Sequence, residues 1–242
     1  MPSGENVWHN NAYHTITSKL VARKFRMECK TLVLCDDYWH PAALIQQGLS
    51  TLQEHGFQFD WLENARDWSA LYMNTYPLVI LSKSNNISST EQSPWMTEEI
   101  ENAFADYVRQ GKGLLAIHSG TAGYEEAPIL RNLLGGVFRY HPEQCSVTFE
   151  PVSSHPLTTG AVRFTAQDEH YFMSITNPEI DVFLKANSIH GEQPAGWRLQ
   201  EGKGRVAVLT PGHTLEVWQQ PAFQTLIRNC ARWCTEGDFR TN

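Results

Sequence analysis

The chain has 242 residues, 41% of them hydrophobic, and a formal net charge of -7, which gives enough apolar material for one sizeable buried core. No Lys- or Arg-rich run accompanies that acidic balance, which argues against a nucleic-acid partner, and no apolar run is long enough to span a bilayer, which argues against a membrane partner. Five cysteines, Cys29, Cys35, Cys145, Cys230 and Cys234, form an odd set without repeated spacing and no apolar leader precedes them, so a cytoplasmic location is expected.

Residues 1–29 read as an N-terminal arm, because Asn, His, Ser and Lys alternate there with little apolar periodicity. Its Trp8, His9, Tyr13 and His14 would pack either on the parent domain or on a second copy in a homo-oligomer. Residues 30–236 read as one domain and 237–242 as a tail, with no internal repeat.

Within the domain, strand and helix patterns alternate. Residues 31–35 form a short apolar strand; 41–54 then carry Ile45, Leu49 and Leu52 on one helical face, and Gly56 stops that helix. Residues 57–61 are a second strand. Residues 77–81, apolar throughout, are a third and hence central, with Ser82, Lys83 and Ser84 at the carboxyl end. A helix over 97–110 has Glu98 and Glu99 in its first turn, Ile100, Phe104, Tyr107 and Val108 on one face, and Gly111 past its end. The apolar run 114–117 then meets His118, Ser119 and Gly120, a strand entering a tight turn whose small residues let His118 project into a crevice; a packed strand end with a hydrogen-bonded histidine is the alternative. Residues 137–151 are expected to add antiparallel strands around a turn at Tyr140, His141 and Pro142. The last strand, 205–209, leads to Pro211, Gly212 and His213, and a helix over 221–234 closes the domain with Phe223, Leu226, Ile227, Cys230 and Trp233 inward. Cys230 and Cys234 share a helix face and read as core. The alternation predicts an α/β fold, a doubly wound and mainly parallel sheet with right-handed crossovers.

Such a sheet brings the carboxyl ends of its strands to one rim, where ligands bind. Asp36, Asp37, Tyr38, Trp39 and His40 follow the first strand, Ser82 to Ser84 the third, His118 and Ser119 the fourth, and His213 the last. Three of ten histidines at such positions, with Asp36, Asp37, Glu169 and His170 nearby in kind, suit general acid/base chemistry. They equally suit a divalent metal such as zinc, with His40, His118 and His213 as candidate ligands, although the spacing matches no compact ligand motif. In 167–172, strand alternation sends Asp168 and His170 to one side and Glu169 and Tyr171 to the other, and Glu169 is the member favoured for the site. His141, His155 and His190 sit beside Pro or Gly and read as surface residues.

The run Gly111-Lys112-Gly113-Leu114-Leu115-Ala116-Ile117-His118-Ser119-Gly120, then His155-Pro156-Leu157-Thr158, Asp168-Glu169-His170-Tyr171, and Gly202-Lys203-Gly204-Arg205-Val206 through Gly212-His213 resemble the ThuA-like (trehalose utilisation) family over roughly residues 31–234. The resemblance implies a flavodoxin-like fold similar to class I glutamine amidotransferases. That superfamily carries its nucleophilic cysteine in Gly-x-Cys-x-Gly at the elbow turn, where this chain has Ala116-Ile117-His118-Ser119-Gly120, so glutaminase activity is not expected. His213 is similar in position to the superfamily's triad histidine, and Glu216 follows three residues later rather than two.

The resemblance further implies a role in carbohydrate catabolism, with a keto-sugar derivative such as a 3-keto-glycoside as the substrate class. A keto group acidifies the neighbouring carbon–hydrogen bond, so His118 or Glu169 would remove that proton while His213 or His40 protonates the leaving oxygen. Trp39 and Tyr38 would stack on the sugar, and Asp36, Asp37 and Ser119 would bind its hydroxyls; a core tryptophan and a helix-capping aspartate are the alternatives. A non-catalytic sugar-binding or scaffold protein is the alternative to the enzyme.

Overall fold

The computed structural model describes residues 28–236. Residues 1–27 of the arm expected over 1–29, with Trp8, His9, Tyr13 and His14, and the tail over 237–242 lie outside the described residues.

Strands β1 (Cys29–Leu34), β2 (Phe57–Leu62), β3 (Leu78–Leu81), β4 (Gly113–Ile117) and β11 (Gly204–Leu209) pair in parallel in the order 2-1-3-4-11. This is the flavodoxin-like order of a doubly wound sheet, with β3 central as its unbroken apolar sequence predicts. Strand alternation divides the core. Val33, Ile80, Leu115 and Ala207 face the side covered by α1 (Ala42–Leu49), α5 (Leu215–Trp218) and α6 (Pro221–Glu236), whereas Leu32, Leu34, Val79 and Leu114 face α3 (Glu98–Arg109) and α4 (Pro128–Leu134). A short α2 (Ala70–Met73) completes the helices. Among the described residues no helix is long and apolar enough to cross a membrane.

Beyond β11 the same nine-stranded sheet continues antiparallel through β10 (Gly191–Glu201), β9 (Asp181–Ser188), β6 (Cys145–Pro151) and β7 (Phe164–Asp168). Strands β5 (Gly136–Tyr140) and β8 (Phe172–Ile175) pair separately. The expected strands within 137–151 therefore exist but are not partners across a turn. β5 leaves the sheet to pair with β8, and β6 lies between β9 and β7. The helix expected over 41–54 also divides, α1 ending at Leu49 and a 3-10 turn running over Ser50–His55. Gly48 weakens the helical stretch and the Ser50 hydroxyl bonds back to the Gln47 carbonyl at 2.7 Å, which favours the tighter turn. Helix α3 begins as read, with the Thr97 hydroxyl accepting the Ile100 N–H.

Candidate active site

At the end of β4 the backbone turns sharply, and His118 takes a left-handed φ of 48°. Gly120 makes the turn possible, because a Cβ there would lie 1.9 Å from the Leu81 carbonyl oxygen. The strained turn aims the imidazole inward. His118 Nδ1 lies 2.8 Å from the Thr210 carbonyl oxygen, which can only accept, so Nδ1 carries a hydrogen and, in the neutral ring, Nε2 presents the lone pair. The Tyr171 ring stacks on this imidazole with centroids 4.3 Å apart, and its hydroxyl lies 3.1 Å from His118 Nε2.

His40 is set by the loop after β1. Asp37 is fully buried; its Oδ1 accepts the N–H groups of Trp39 and His40 at 2.9 and 3.0 Å and meets His40 Nδ1 at 2.9 Å, while Oδ2 accepts the Ser84 N–H at 2.9 Å. Burial opposes ionisation of Asp37, but the bond to His40 and the backbone donors outweigh it and hold the carboxyl well below the usual range. Burial in turn pushes the His40 imidazole down. With Asp37 ionised, His40 Nδ1 carries the hydrogen and Nε2 is bare. The buried Lys83 fixes the same loop from below, donating to the carbonyls of Cys35 at 3.3 Å, Glu63 at 3.1 Å and Asp36. Asp36 accepts the Ala42 N–H at the start of α1 and the Ser89 N–H, each at 3.1 Å.

Glu169 and His213 complete the cluster. His213 Nδ1 lies 3.1 Å from Glu169 Oε1 and 3.2 Å from His40 Nε2, and Glu169 Oε2 lies 3.5 Å from His118 Nε2. His40 Nε2 and His118 Nε2 are 3.1 Å apart. One ligating atom each from His40, His118, Glu169 and His213 thus falls within 4.8 Å of all the others, close enough to share an ion. Burial works against the Glu169 charge, but its bonds to His118 and His213 hold the carboxyl far below the usual range, and the bond to Glu169 raises His213 against its own burial. Asp168, on the opposite side of the strand end, accepts the N–H groups of Gly212 and His213 at 3.0 Å each and so holds the His213 turn. Its complete burial raises its own pKa, opposed by His118 and those donors.

His40, Glu169 and His213 of this cluster line a pocket of about 720 Å³. Trp39, Phe138 and Tyr171 give it aromatic surface, and Ser84, Asn85, Asn86, Gln92 and Glu125 give it a polar wall. Of the residues singled out from the sequence, Trp39, His40, Ser84, Glu169 and His213 line this pocket, and Trp39 is 68% exposed rather than part of the core. His118 is only 1% exposed and sits behind them, meeting the cluster rather than the open pocket. Asp37 and Ser119 are buried and do not line the pocket, and Asp36 and Tyr38 do not line it either. Asp36 and Asp37 spend their carboxylates on backbone N–H groups and His40. A hydroxyl-binding role is therefore not carried further for Asp36, Asp37 and Ser119, nor a stacking role for Tyr38.

Several pocket residues escaped sequence reasoning, among them Asn85, Asn86, Gln92, Glu125 and Phe138 as well as His141 and Tyr171. His141, read there as a surface residue, lines the pocket with Nε2 at 3.4 Å from Glu169 Oε1, and its Nδ1 meets the Pro142 carbonyl at 2.7 Å. Tyr171 had one usable signal, since alternation already put it on the side of Glu169. Cys35 is buried, with its thiol pushed up to about 12 by burial, and like Cys145 it lies off the pocket.

Comparison with known proteins gives a consistent result. The model of the trehalose utilisation (ThuA) family matches residues 30–234. No curated protein matches the chain. Among solved structures, a protein described as ThuA-like from Parabacteroides merdae ATCC 43184 superposes with a TM-score of 0.71 at 19% identity, covering 89% of this chain and 93% of that one. A cytoplasmic protein from Salmonella typhimurium LT2 gives 0.66 at 14% identity, covering 86% and 100%. A β-galactosidase from Rahnella sp. R3 gives 0.58 at 14% identity, covering 90% of this chain and 33% of that one. At these identities the likenesses show the fold.

Proposed function

The chain belongs to the trehalose utilisation (ThuA) family, and from that premise we propose that it is an enzyme of carbohydrate catabolism acting on a carbonyl-bearing sugar derivative, with 3-keto-glycosides as the leading class. The observation that carries this reading is the convergence of His40, His118, Glu169 and His213 in one cluster, of which His40, Glu169 and His213 line a single pocket. A sugar suits the walls: Trp39 offers an exposed apolar face to the ring, and the side-chain amides and Glu125 of the lining offer partners for hydroxyls.

The floor takes the substrate's carbonyl oxygen, where the developing negative charge is stabilised beside His213. Stabilising that oxygen acidifies the adjacent carbon–hydrogen bond. His141 takes the proton: its Nδ1 hydrogen is committed to Pro142, so Nε2 faces the pocket as a lone pair. His118, read from the sequence as a proton acceptor, acts here from behind by holding Glu169 and His40 in place. A cytoplasmic location is part of the same proposal, supported by the free cysteines and by the description of the Salmonella protein.

Purified protein incubated with a panel of 3-keto-glycosides and their parent sugars should consume keto compounds and leave the parents unchanged, as followed by chromatography. Equal inertness toward every keto-glycoside would sink the reading in favour of a binding protein. Glutamine hydrolysis, by contrast, should be absent, because an imidazole occupies the elbow and no low-pKa thiol faces the pocket. Ammonia release from glutamine that disappears in His118→Ala would contradict this.

A further inference from the structure

Hydrogen bonding fixes which nitrogen of each buried imidazole is bare. His118 gives its Nδ1 hydrogen to the Thr210 carbonyl and His40 gives its own to Asp37, so two Nε2 lone pairs face each other at 3.1 Å. In neutral rings, lone pairs at that distance repel unless a positive charge lies between or beside them, and the Tyr171 hydroxyl, 3.1 Å from His118 Nε2, can serve only one of the two. The negative Glu169 carboxylate and His213 Nδ1 close the same space. Four of the six donor spacings, 3.1, 3.2, 3.5 and 3.1 Å, are close to the roughly 3.3 Å that bonds of about 2.0–2.1 Å in tetrahedral array put between neighbours, and the other two are within 4.8 Å.

We propose that His40 Nε2, His118 Nε2, His213 Nδ1 and the Glu169 carboxylate form a binding site for one divalent transition-metal ion of the zinc type. Three imidazole nitrogens and one carboxylate favour zinc and its neighbours over magnesium or calcium, which take oxygen ligands. The outer contacts match that use. Asp37 on His40 and the Thr210 carbonyl on His118 are the carboxylate and backbone partners that fix the tautomer and orientation of a ligating imidazole. The buried position of His118 fits a ligand better than a proton carrier, because its lone pair points at the other three donors and not into the pocket. His213 and Glu169 face the pocket, so a substrate oxygen entering from that side would add a fifth ligand to the ion, a clause that rests on the enzymatic reading above; the binding site itself does not.

The full chain, purified without a metal-affinity tag and stripped with chelator, is titrated with zinc by competition against a chromophoric chelator and with cobalt by its visible ligand-field bands. One ion per chain is expected, with His213→Ala and His118→Asn each lowering affinity on the order of a hundredfold and Asp37→Asn about tenfold to a hundredfold. His190→Ala, at an exposed turn away from the cluster, should bind as the wild type does. Circular dichroism checks that each variant is folded, and His213, half-buried at the pocket surface, supplies the readout if His118→Asn does not fold. Absence of a stoichiometric ion in wild type, or equal affinity in folded His213→Ala, overturns the metal site. Full turnover of a keto-glycoside by stripped protein that binds no ion would overturn it too, while leaving the enzymatic reading intact.

Discussion

Turnover of a keto-glycoside should fall on the order of a hundredfold or more when either His118 or His213 is replaced by alanine, and the double variant should lose far less than the product of the two losses. The two side chains come from strand ends far apart in sequence, but Glu169 bridges them, with Oε2 on His118 and Oε1 on His213. Removing either one releases the carboxylate and breaks the same assembly, and groups that act as a unit are not additive. His118→Asn is a useful companion, because asparagine tolerates the left-handed backbone at this position better than alanine does. A loss in His118→Asn as large as in His118→Ala places the effect in the lost imidazole rather than in the strained turn. Near-normal turnover in both single variants would remove the cluster from the mechanism.

The main lines of this site were legible where a single segment carries the signal. An apolar run over 114–117 followed by His118 and small residues can only end a buried strand in a tight turn, and the structure places the elbow there. His40 and His213 were found by the same logic, from polar residues just past apolar strands, and doubly wound topology supplied their convergence. What stayed hidden depends on contacts between distant segments. Lys83 follows the central strand and looked like one more rim polar group, yet its ammonium turns inward to three carbonyls of other loops. His141 was read as a surface residue because Pro142 follows it; only the pairing of β5 with β8, outside the main sheet, brings it over Glu169. Strands β9 and β10 gave no clear sequence signal, since Pro194 and Gly196 interrupt the alternation and the pairing there carries register shifts.

These hidden contacts define how the fold and the chemistry share residues. Asp37 serves two loops at once, joining the one after β1 to the one after β3, and also sets the His40 tautomer. A carboxylate used in this way is unavailable to a sugar hydroxyl, which is why a residue type suited to substrate binding acts here one step removed from substrate. The same division separates Asp168 from Glu169. Adjacent in sequence, they leave the strand end in opposite directions, Glu169 toward the histidines and Asp168 toward the backbone that carries one of them.

Asp168→Ala should therefore cost both stability and turnover, and by separable routes. The fully buried carboxylate accepts the N–H groups of Gly212 and His213, and its loss leaves both donors without that partner. Each such group costs about 1–3 kcal/mol, so denaturant unfolding should show a loss of about 3 kcal/mol, within the ~5–15 kcal/mol of a typical domain. The chain then stays folded. Its His213 turn is no longer held, and because Gly212 has a φ of 135° that the carboxylate helps to fix, the imidazole should drift from Glu169. On the proposed reaction, kcat should drop by roughly tenfold or more with a smaller change in KM, the pattern of a lost transition-state contact rather than lost binding. Leu226→Ala, a buried truncation in α6 away from the pocket, should destabilise comparably, by about 2–5 kcal/mol, and leave kcat nearly unchanged. If Asp168→Ala and Leu226→Ala lose stability alike and both keep wild-type kcat, Asp168 holds the fold only and does not position His213.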